Sequence, residues 1–183
     1  MNIVHRLYCR SPRWRHHLRG LLPWATDGVP LSGSVLELGS GPGLTTDWLR
    51  PRTQSLTAVE LDVTDADRLA ARLPDVDVRQ ADATALPFPD RSFDAVVCFT
   101  MLHHVPTAEM QDRLFAEARR VLRSGGVFAG SDSRWGPLFA VAHVGDTMQL
   151  VDPKGLVSRL RQAGFTESSV DVRRHALRFR ASA

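Results

Sequence analysis

The segment VLELGSGPGLTTDW, residues 35–48, places three glycines within five residues directly after an apolar run. Glycine allows the backbone conformations of tight turns and lets a ligand approach the main chain closely. A chain that passes from an apolar strand through such a loop into a helix is restricted to a few α/β arrangements. Four interpretations of the loop are open: it binds a phosphate, a dinucleotide or another adenosine-containing cofactor, or it is a tight turn without a ligand.

Short apolar runs alternate with helix-like segments after this loop. The pattern predicts strands at 34–39, 56–61, 76–81, 93–99 and 126–132, helices at 44–50, 109–123 and 153–163, and a further helix capped by Asp62 or Thr64. Gly125 and Gly126 are expected to end the helix that precedes them. The last two runs, 168–174 and 176–182, are predicted to pair antiparallel at the edge of the sheet. Alternation of this kind predicts a doubly wound α/β sheet with right-handed crossovers.

Length and composition limit the classes of protein to which this chain can belong. With 183 residues, 43% of them hydrophobic and 23% charged, the chain is expected to form one domain, 1–183, with a helical region at 1–33 ahead of a core at 34–183. The net charge is only +3 and the arginines are scattered, so no nucleic-acid partner is expected. The N-terminus lacks the apolar region of a signal peptide, and no apolar run approaches the roughly 18 residues of a membrane span. We therefore expect a cytoplasmic protein without a membrane span, either a monomer or a homodimer.

The two cysteines give no sign of a disulfide or a metal site. Cys98 lies within the apolar run DAVVCF, which is predicted to be a buried strand, so pairing with Cys9 is not expected. No cysteine or histidine spacing in the sequence is typical of zinc ligands, so no metal is predicted.

The loop sequence and two acidic residues separate the four interpretations. A phosphate loop would read GxxxxGK[ST], but this stretch has no lysine, and the dinucleotide fingerprint GxGxxG needs a glycine where Leu44 stands. The loop reads GxGxG at 39–43, which alone is also compatible with a bare turn. Glu60 ends the second predicted strand about 20 residues past the loop, where a carboxylate can accept hydrogen bonds from both ribose hydroxyls. Asp82 ends the third, where a carboxylate can accept from an adenine amino group. Three successive strand ends of this kind favour an adenosine-containing cofactor.

Four motifs in order carry a resemblance to one family. They are VLELGSGPG at 35–43, VELD at 59–62, QADATALPFPDRSFDAVVCFTMLHHV at 80–105 and EARRVLRSGGVF at 117–128. Over roughly residues 34–132 the chain resembles the class I S-adenosylmethionine-dependent methyltransferases, in the small-molecule branch typified by the ubiquinone/menaquinone-biosynthesis type. The resemblance implies a Rossmann-like, doubly wound, mostly parallel seven-stranded sheet with an antiparallel edge strand and an N-terminal helical cover. It also implies S-adenosyl-L-methionine as the cofactor.

The resemblance assigns the cofactor-binding residues. They are Glu37, Gly39, Ser40, Gly41, Gly43, Glu60, Leu61, Asp82, Ala83, Cys98, Phe99 and Thr100. Glu37 is expected to help hold the ammonium group of the methionine part, directly or through water, and the alternative is a pairing with a neighbouring loop. The residues that follow the fourth strand are expected to line the methionine part, mostly through their backbone.

The expected acceptor of the methyl group is a small, partly apolar molecule. CFTMLHH stands after the fourth strand, where enzymes that methylate base nitrogens carry an Asn/Asp-Pro-Pro-aromatic motif, and the chain has no room for the recognition domains of protein-tail enzymes. Transfer from a sulfonium is an in-line displacement, so alignment and exclusion of water can supply most of the acceleration. His103 or His143 is a candidate base for an acceptor that carries a proton, and the alternative is that these histidines pack or face solvent.

Two other classes of function remain open. A protein that binds the cofactor without transferring a methyl group would carry the same loop and the same strand-end acids. A nicotinamide-dependent reductase is disfavoured by Leu44 and by the lack of a substrate domain.

The first 30 residues are expected to form a mobile cover that completes the acceptor pocket. Trp14, Leu18 and Leu22, with Leu21 beside them, lie at spacings that form one apolar stripe on a helix. The alternative is a helix that packs on the flank of the sheet and takes no part in the pocket.

Overall fold

A computed structural model describes residues 3–183 and all of their side chains except those at positions 3–5, 138 and 142. Met1 and Asn2, which belong to the predicted cover, lie outside the described residues. The helices are α1 (Ile3–Cys9), α2 (Pro12–Ala25), α3 (Leu44–Leu49), α4 (Val63–Arg72), α5 (Ala108–Val121), α6 (Pro137–Ala142) and α7 (Pro153–Gln162). The strands are β1 (Ser34–Leu38), β2 (Ser55–Glu60), β3 (Asp77–Gln80), β4 (Phe93–Phe99), β5 (Leu122–Ser133), β6 (Glu167–Val172) and β7 (Ala176–Ser182).

The seven strands form one sheet in the order β3-β2-β1-β4-β5-β7-β6. Strands β1 to β5 are mutually parallel, and β7 runs antiparallel to both β5 and β6. The strand order reverses between β1 and β4, so the chain leaves these two neighbours in opposite directions and opens a crevice at their carboxyl ends. The predicted Rossmann-like, doubly wound sheet is confirmed.

The end of α5 differs from the prediction. The helix stops at Val121, and β5 begins at once with Leu122, which is buried and pairs with Phe93. The backbone N–H of Ser92 donates to the carbonyl of Val121 over 2.8 Å, which satisfies a helix-terminal acceptor without a glycine turn. The predicted stop at Gly125 is therefore wrong: this glycine, with φ of 78°, lies in an irregular part of β5 where the register shifts.

The antiparallel pair lies at the edge, as predicted. The order of the two strands in the sheet is the reverse of their order in the sequence. β7 inserts between β5 and β6, so the outermost strand is β6. The reason is burial: Leu177, Phe179 and Ala181 alternate as buried residues along β7, whereas β6 is largely exposed.

Apolar clusters cover both faces of the sheet, and α2 belongs to one of them. On one face, α5 and α7 pack on Phe128 and Phe179; on the other, Leu21, Leu22 and Ala25 of α2 pack in the cluster that includes strand residues of β1, β2 and β4. Helix α2 begins at Ser11, whose hydroxyl accepts from the N–H of Trp14, and Pro12 occupies the first turn. It therefore packs on the flank of the sheet along its second half.

Within residues 3–183, no helix has both the length and the apolar character needed to cross a bilayer.

Candidate active site

A cavity of about 580 Å³ lies at the carboxyl ends of β1 to β4, where the strand order reverses. Its walls come from four places in the chain: α1 and α2, the glycine loop, the ends of β2 and β3, and the turn after β4. Residues of α5 and of the segment after α6 complete it. The lining includes Arg6, Cys9, Trp14, Leu18, Gly39, Ser40, Gly41, Glu60, Leu61, Asp82, Ala83, Phe99, Thr100, Met101, His104, Val105, Met110, Asp146 and Thr147.

The glycine loop needs glycine for two separate reasons. Gly39 has φ of 70°, and a Cβ there would lie 2.9 Å from the Cβ of Met101, so the loop and the turn after β4 approach too closely for a side chain. Gly43 has φ of 82° and would meet Leu69 of α4. The loop therefore lies pressed between two walls, with its remaining surface toward the cavity.

Ser40 gives a direct test of whether a ligand fits this loop. The residue is buried and lines the cavity, yet its hydroxyl has no hydrogen-bond partner in the part of the chain that the structure describes. Buried hydroxyls are nearly always hydrogen-bonded. The polar amino-acid part of S-adenosylmethionine offers both donors and acceptors for this hydroxyl, so the loop fits that group.

The carboxylate of Glu60 is aimed by two backbone groups. One oxygen accepts from the N–H of Gly41 over 2.7 Å, and the other accepts from the N–H of Asp62 over 3.0 Å. Each oxygen has a second lone pair, so a diol could still donate to both. The carboxylate lies on the cavity wall at the end of β2, the position expected for a ribose contact.

Asp82 lies beyond the end of β3 and is exposed toward the cavity mouth. One of its carboxylate oxygens accepts from the N–H of Thr84 over 2.8 Å, which leaves the other for a ligand. Ala83 next to it is half-buried and also lines the cavity, as does the exposed Leu61.

Glu37 is buried and faces α3. Its two carboxylate oxygens accept from the hydroxyls of Thr45 and Thr46, the latter over 2.6 Å. Burial raises the pKa of Glu37 to about 7, although the two hydroxyl hydrogen bonds act in the opposite direction. Of the two expectations for Glu37, the structure shows the pairing with a neighbouring element. The contact with an ammonium group stays a prediction, and it would run through Thr45, which lines the cavity while Glu37 does not.

The three candidate residues at the end of β4 lie in different environments. Phe99 and Thr100 line the cavity, whereas Cys98 is fully buried in the core on the other face of the sheet. Thr100 has φ of 52°, which is rare for a β-branched residue, and its N–H donates to the carbonyl of Ser131 over 2.7 Å. This left-handed residue turns the chain across the cavity wall toward Met101. Strained backbone of this kind is frequent at binding sites.

The two histidines named as candidate bases do not line the cavity, whereas His104 does. His103 is 2% exposed, and its Nδ1 lies 2.5 Å from a carboxylate oxygen of Asp132. His143 is 5% exposed, and its Nδ1 lies 2.7 Å from the carbonyl oxygen of Phe139. Burial lowers the pKa of His143, which favours the neutral imidazole at neutral pH. The structure brings all three rings together, and the base role of His103 and His143 stays a prediction.

Helix α1 is held against the start of α4 by ion pairs. Arg6 lies 3.0 Å from Asp65 and 3.3 Å from Asp62, and Arg10 lies 2.6 Å from Asp65. Asp65 is almost fully buried between the two arginines, while the arginines are partly exposed. Cys9 of α1 lines the cavity, and burial together with nearby Asp146 raises the pKa of its thiol to about 11. Helix α1 therefore lies across the mouth of the cavity.

Carboxylates predominate on the cavity wall, which favours a cationic ligand over a phosphate-bearing one. Arg6 is the one arginine or lysine among the described lining residues, and it is paired. The lining carboxylates are Glu60, Asp62, Asp65, Asp82 and Asp146.

Sequence reasoning missed several lining residues, and one of them had a usable signal. Asp65 stands three residues after the cap Asp62 in the run DVTD, and its burial could be inferred from the helical spacing that also buries Leu69. Asp146, Thr147 and Met110 carried no signal, because they reach the cavity only through the path of the chain after α6 and the rotation of α5.

The fold belongs to one class: a Rossmann-like sheet with a glycine loop and acidic residues at the carboxyl ends of its parallel strands. The same fold is found in a solved S-adenosylmethionine-dependent methyltransferase from Aquifex aeolicus, with a TM-score of 0.78 over 100% of this chain and 98% of that one, at 16% identity.

The family model described as a methyltransferase domain matches residues 36–130, just over half of the 183-residue chain. The chain therefore belongs to this methyltransferase-domain family. The resemblance drawn from the sequence is confirmed, and with it S-adenosyl-L-methionine as the cofactor.

Two curated relatives are similar in sequence to parts of this chain. A probable S-adenosylmethionine-dependent methyltransferase of Mycolicibacterium smegmatis is 36% identical over 51% of this chain and 35% of its own length. A ubiquinone biosynthesis O-methyltransferase of Paracidovorax citrulli is 31% identical over 78% of this chain and 63% of its own length. The chain thus spans about a third of the first relative and under two thirds of the second.

Proposed function

We propose that this chain is an enzyme that transfers the methyl group of S-adenosyl-L-methionine to an O, N, S or C atom of a small, partly apolar molecule. Residues 1–183 act as one domain in this proposal, with residues 1–33 as a cover over the core at 34–183. The observation that carries the proposal is the Glu60 carboxylate, which two backbone N–H groups aim at an acid-rich cavity beside the glycine loop.

In the proposed complex, residues at three strand ends hold the cofactor. Glu60 accepts from the ribose hydroxyls, and Asp82 accepts from the adenine amino group with the oxygen that Thr84 leaves available. The glycine loop and Ser40 hold the amino-acid part, and Thr100 with its left-handed backbone lies against it. When bound, the cofactor supplies a methyl group already activated by its positively charged sulfur.

Apolar side chains from separate elements line the acceptor side of the proposed pocket. Trp14 and Leu18 come from α2, Val105 from the turn after β4, and Met110 from α5. Such walls suit a partly apolar acceptor. The Paracidovorax citrulli relative, named a ubiquinone biosynthesis O-methyltransferase, is consistent with an acceptor of this kind.

The chain contributes alignment and exclusion of water to the proposed reaction. In-line displacement requires the acceptor atom, the methyl carbon and the sulfur to lie on one line, and well-oriented reactants can gain roughly 7–11 kcal/mol. Helix α1, held by Arg6 and Arg10, would keep water from the sulfonium. If the acceptor must lose a proton, His103 or His143 is the candidate base.

Calorimetry with S-adenosylmethionine, S-adenosylhomocysteine and NAD tests the proposal. We expect the first two to bind and NAD not to bind. A library of phenols, carboxylic acids, amines and thiols, with and without alkyl chains, is then screened for S-adenosylhomocysteine formation. Transfer to at least one apolar acceptor is expected. Tight binding of both adenosyl ligands without transfer to any acceptor would instead favour a binding protein without transferase activity.

The remaining expectations about partners and location stay predictions. They are a monomer or homodimer, no nucleic-acid partner, and a cytoplasmic location.

A further inference from the structure

Three imidazoles from two distant parts of the sequence meet behind the cavity wall. His103 and His104 stand in the short turn after β4, and His143 follows α6. The ring centroids are 4.1 Å apart for His103 and His104, 5.0 Å for His103 and His143, and 5.5 Å for His104 and His143. Each residue offers one ring nitrogen as a possible ligand atom, and these three nitrogens lie within 4.8 Å of one another. The cluster of His103, His104 and His143 is called the tri-histidine cluster below.

The carboxylate of Asp132 fixes the tautomer of His103. One oxygen of Asp132 lies 2.5 Å from Nδ1 of His103, and the other accepts from the backbone N–H of the same residue over 2.9 Å. A carboxylate can only accept, so Nδ1 carries a proton, and in the neutral imidazole Nε2 then carries the lone pair. Nε2 is buried and has no hydrogen-bond partner among the residues that the structure describes. A buried acceptor left in this way costs free energy and calls for a ligand.

A backbone carbonyl fixes the tautomer of His143 in the same sense. The carbonyl oxygen of Phe139, one helical turn earlier, lies 2.7 Å from Nδ1 of His143. Because a carbonyl only accepts, Nδ1 is the donor and Nε2 carries the lone pair. In both of these buried imidazoles, the Nδ1–H group therefore donates a hydrogen bond to an oxygen acceptor. This is the arrangement by which proteins orient histidine ligands toward a metal ion.

We propose that the tri-histidine cluster binds one divalent transition-metal ion, of the kind that Zn²⁺ represents. Three neutral imidazoles suit Zn²⁺, Co²⁺, Ni²⁺ or Cu²⁺, whereas Mg²⁺ and Ca²⁺ require oxygen ligands. Tetrahedral zinc holds histidine nitrogens at about 2.0–2.1 Å, which places them roughly 3.3–3.5 Å from one another. The present limit of 4.8 Å is wider, so the rings would move closer together when an ion binds.

The ion would join two parts of the chain that form the acceptor side. His103 and His104 belong to the turn after β4, whereas His143 belongs to the segment between β5 and α7. His104 also lines the cavity, so the fourth position of a three-histidine site has a route to the cavity. The proposal concerns binding and does not rest on the proposed transferase activity, because a sulfonium donor needs no metal for its activation. A bound ion would use the Nε2 lone pairs of His103 and His143, so the base role proposed for these two residues applies only to the metal-free protein. The proposal replaces the expectation, drawn from sequence spacing, that no metal is bound.

The test is metal binding by the full chain, purified without a metal-affinity step and stripped with a chelator. Zn²⁺ affinity is measured by competition with a chromophoric chelator, and Co²⁺ is added separately as a spectroscopic probe. We expect one equivalent of Zn²⁺ at submicromolar Kd, visible Co²⁺ absorption bands of a four- or five-coordinate nitrogen site, and a rise in Tm with Zn²⁺. His143→Phe, which keeps a ring against Phe139, should weaken Zn²⁺ at least about 100-fold. Asp132→Asn should weaken it roughly 10–100-fold because it acts through His103.

Two further variants separate a ligand site from ring packing. His16→Ala removes an exposed histidine of α2 and should leave the affinity unchanged. His104→Ala removes the least buried ring of the cluster, so it tests the site even if His143→Phe fails to fold. Zn²⁺ that binds no more tightly to the whole protein than to His104→Ala overturns the proposal. A Co²⁺ spectrum of the fully hydrated octahedral ion does so as well, and the cluster is then ring packing around Phe139.

Discussion

The cofactor edge and the acceptor side of the cavity are built in opposite ways. At the cofactor edge, the glycine loop, Glu60 and Asp82 lie at the ends of three neighbouring parallel strands. Backbone N–H groups two residues away or in the glycine loop orient the two carboxylates. On the acceptor side, α1, α2, the turn after β4 and the segment after α6 converge from distant parts of the chain. Strand geometry thus fixes one half, whereas packing between helices and loops fixes the other.

This difference implies that variants of the two regions should fail differently. Changes at the cofactor edge should act on cofactor affinity, because they remove a local contact from an otherwise rigid sheet. Changes on the acceptor side should act on methyl transfer, because they disturb how an acceptor is placed and how water is excluded.

The largest effect is expected from removing α1. Deleting residues 2–10 should lower transfer to any acceptor at least about 100-fold while cofactor affinity changes by less than roughly tenfold, since the Arg6 and Arg10 pairs and the cover are lost but the sheet is not. Steady-state kinetics and calorimetry measure the two quantities. A deletion to residue 25 is a poor test because it also removes Leu18 and Leu22 from the core. If the protein lacking α1 transfers methyl groups as fast as the whole chain, the cover has no role in the reaction.

The next effect concerns the ribose contact. Glu60→Ala should raise the Kd for S-adenosylmethionine at least tenfold, because each lost hydrogen bond to a charged group is worth about 1.5–3 kcal/mol. Calorimetry on folded protein measures it. Glu167→Ala, an exposed glutamate at the far edge of the sheet, is the matched control and should bind as the unaltered chain does. Unchanged affinity in Glu60→Ala would falsify the ribose assignment.

A smaller and graded effect is expected at Asp82. Asp82→Ala should weaken cofactor binding by roughly threefold to tenfold. Asp82→Asn should weaken it less, because its amide oxygen can serve either the N–H of Thr84 or the adenine amino group, although not both as well as the carboxylate does. Asn as damaging as Ala would show that the charge of Asp82 matters for something other than the adenine.

The smallest effect on binding, but a distinct one on stability, is expected at Glu37. Its folded pKa of about 7 lies above its usual value of 4.5, so the neutral side chain contributes stability that is fully present below about pH 4.5 and is lost as pH rises through about 7. Glu37→Gln stays neutral and can still serve the hydroxyls of Thr45 and Thr46. The free energy of unfolding of the original chain, relative to this variant, should fall by about 1–3 kcal/mol over that window. Denaturant titrations at several pH values measure it, and a difference independent of pH would mean that folding does not raise the pKa of Glu37.

How well each region could be predicted from sequence follows from the same contrast. The bounds of β4 and the positions of Glu60 and Asp82 could be predicted, because burial patterns mark strands and the fold brings parallel strand ends together. The sequence left open whether the Glu37 carboxylate contacts the ligand or pairs with a neighbouring element. The pairing depends on the hydroxyls of the two threonines of α3. The tri-histidine cluster was not predicted, since about forty residues separate His143 from the adjacent His103 and His104, and only the path of the chain after β5 brings them together.

The two cysteines give the cover an intrinsic chemical reporter. Cys98 is fully enclosed in the core, and burial raises the pKa of its thiol well above the usual range, so the native protein should present almost no thiolate there. Cys9 stands on the inner side of α1, where burial holds its own pKa at about 11 for as long as the helix covers the cavity. Alkylation of the native protein should therefore modify a single thiol, at a rate set by how often α1 lifts. Slower alkylation of Cys9 in the presence of S-adenosylhomocysteine would show that the bound product keeps α1 closed over the cavity.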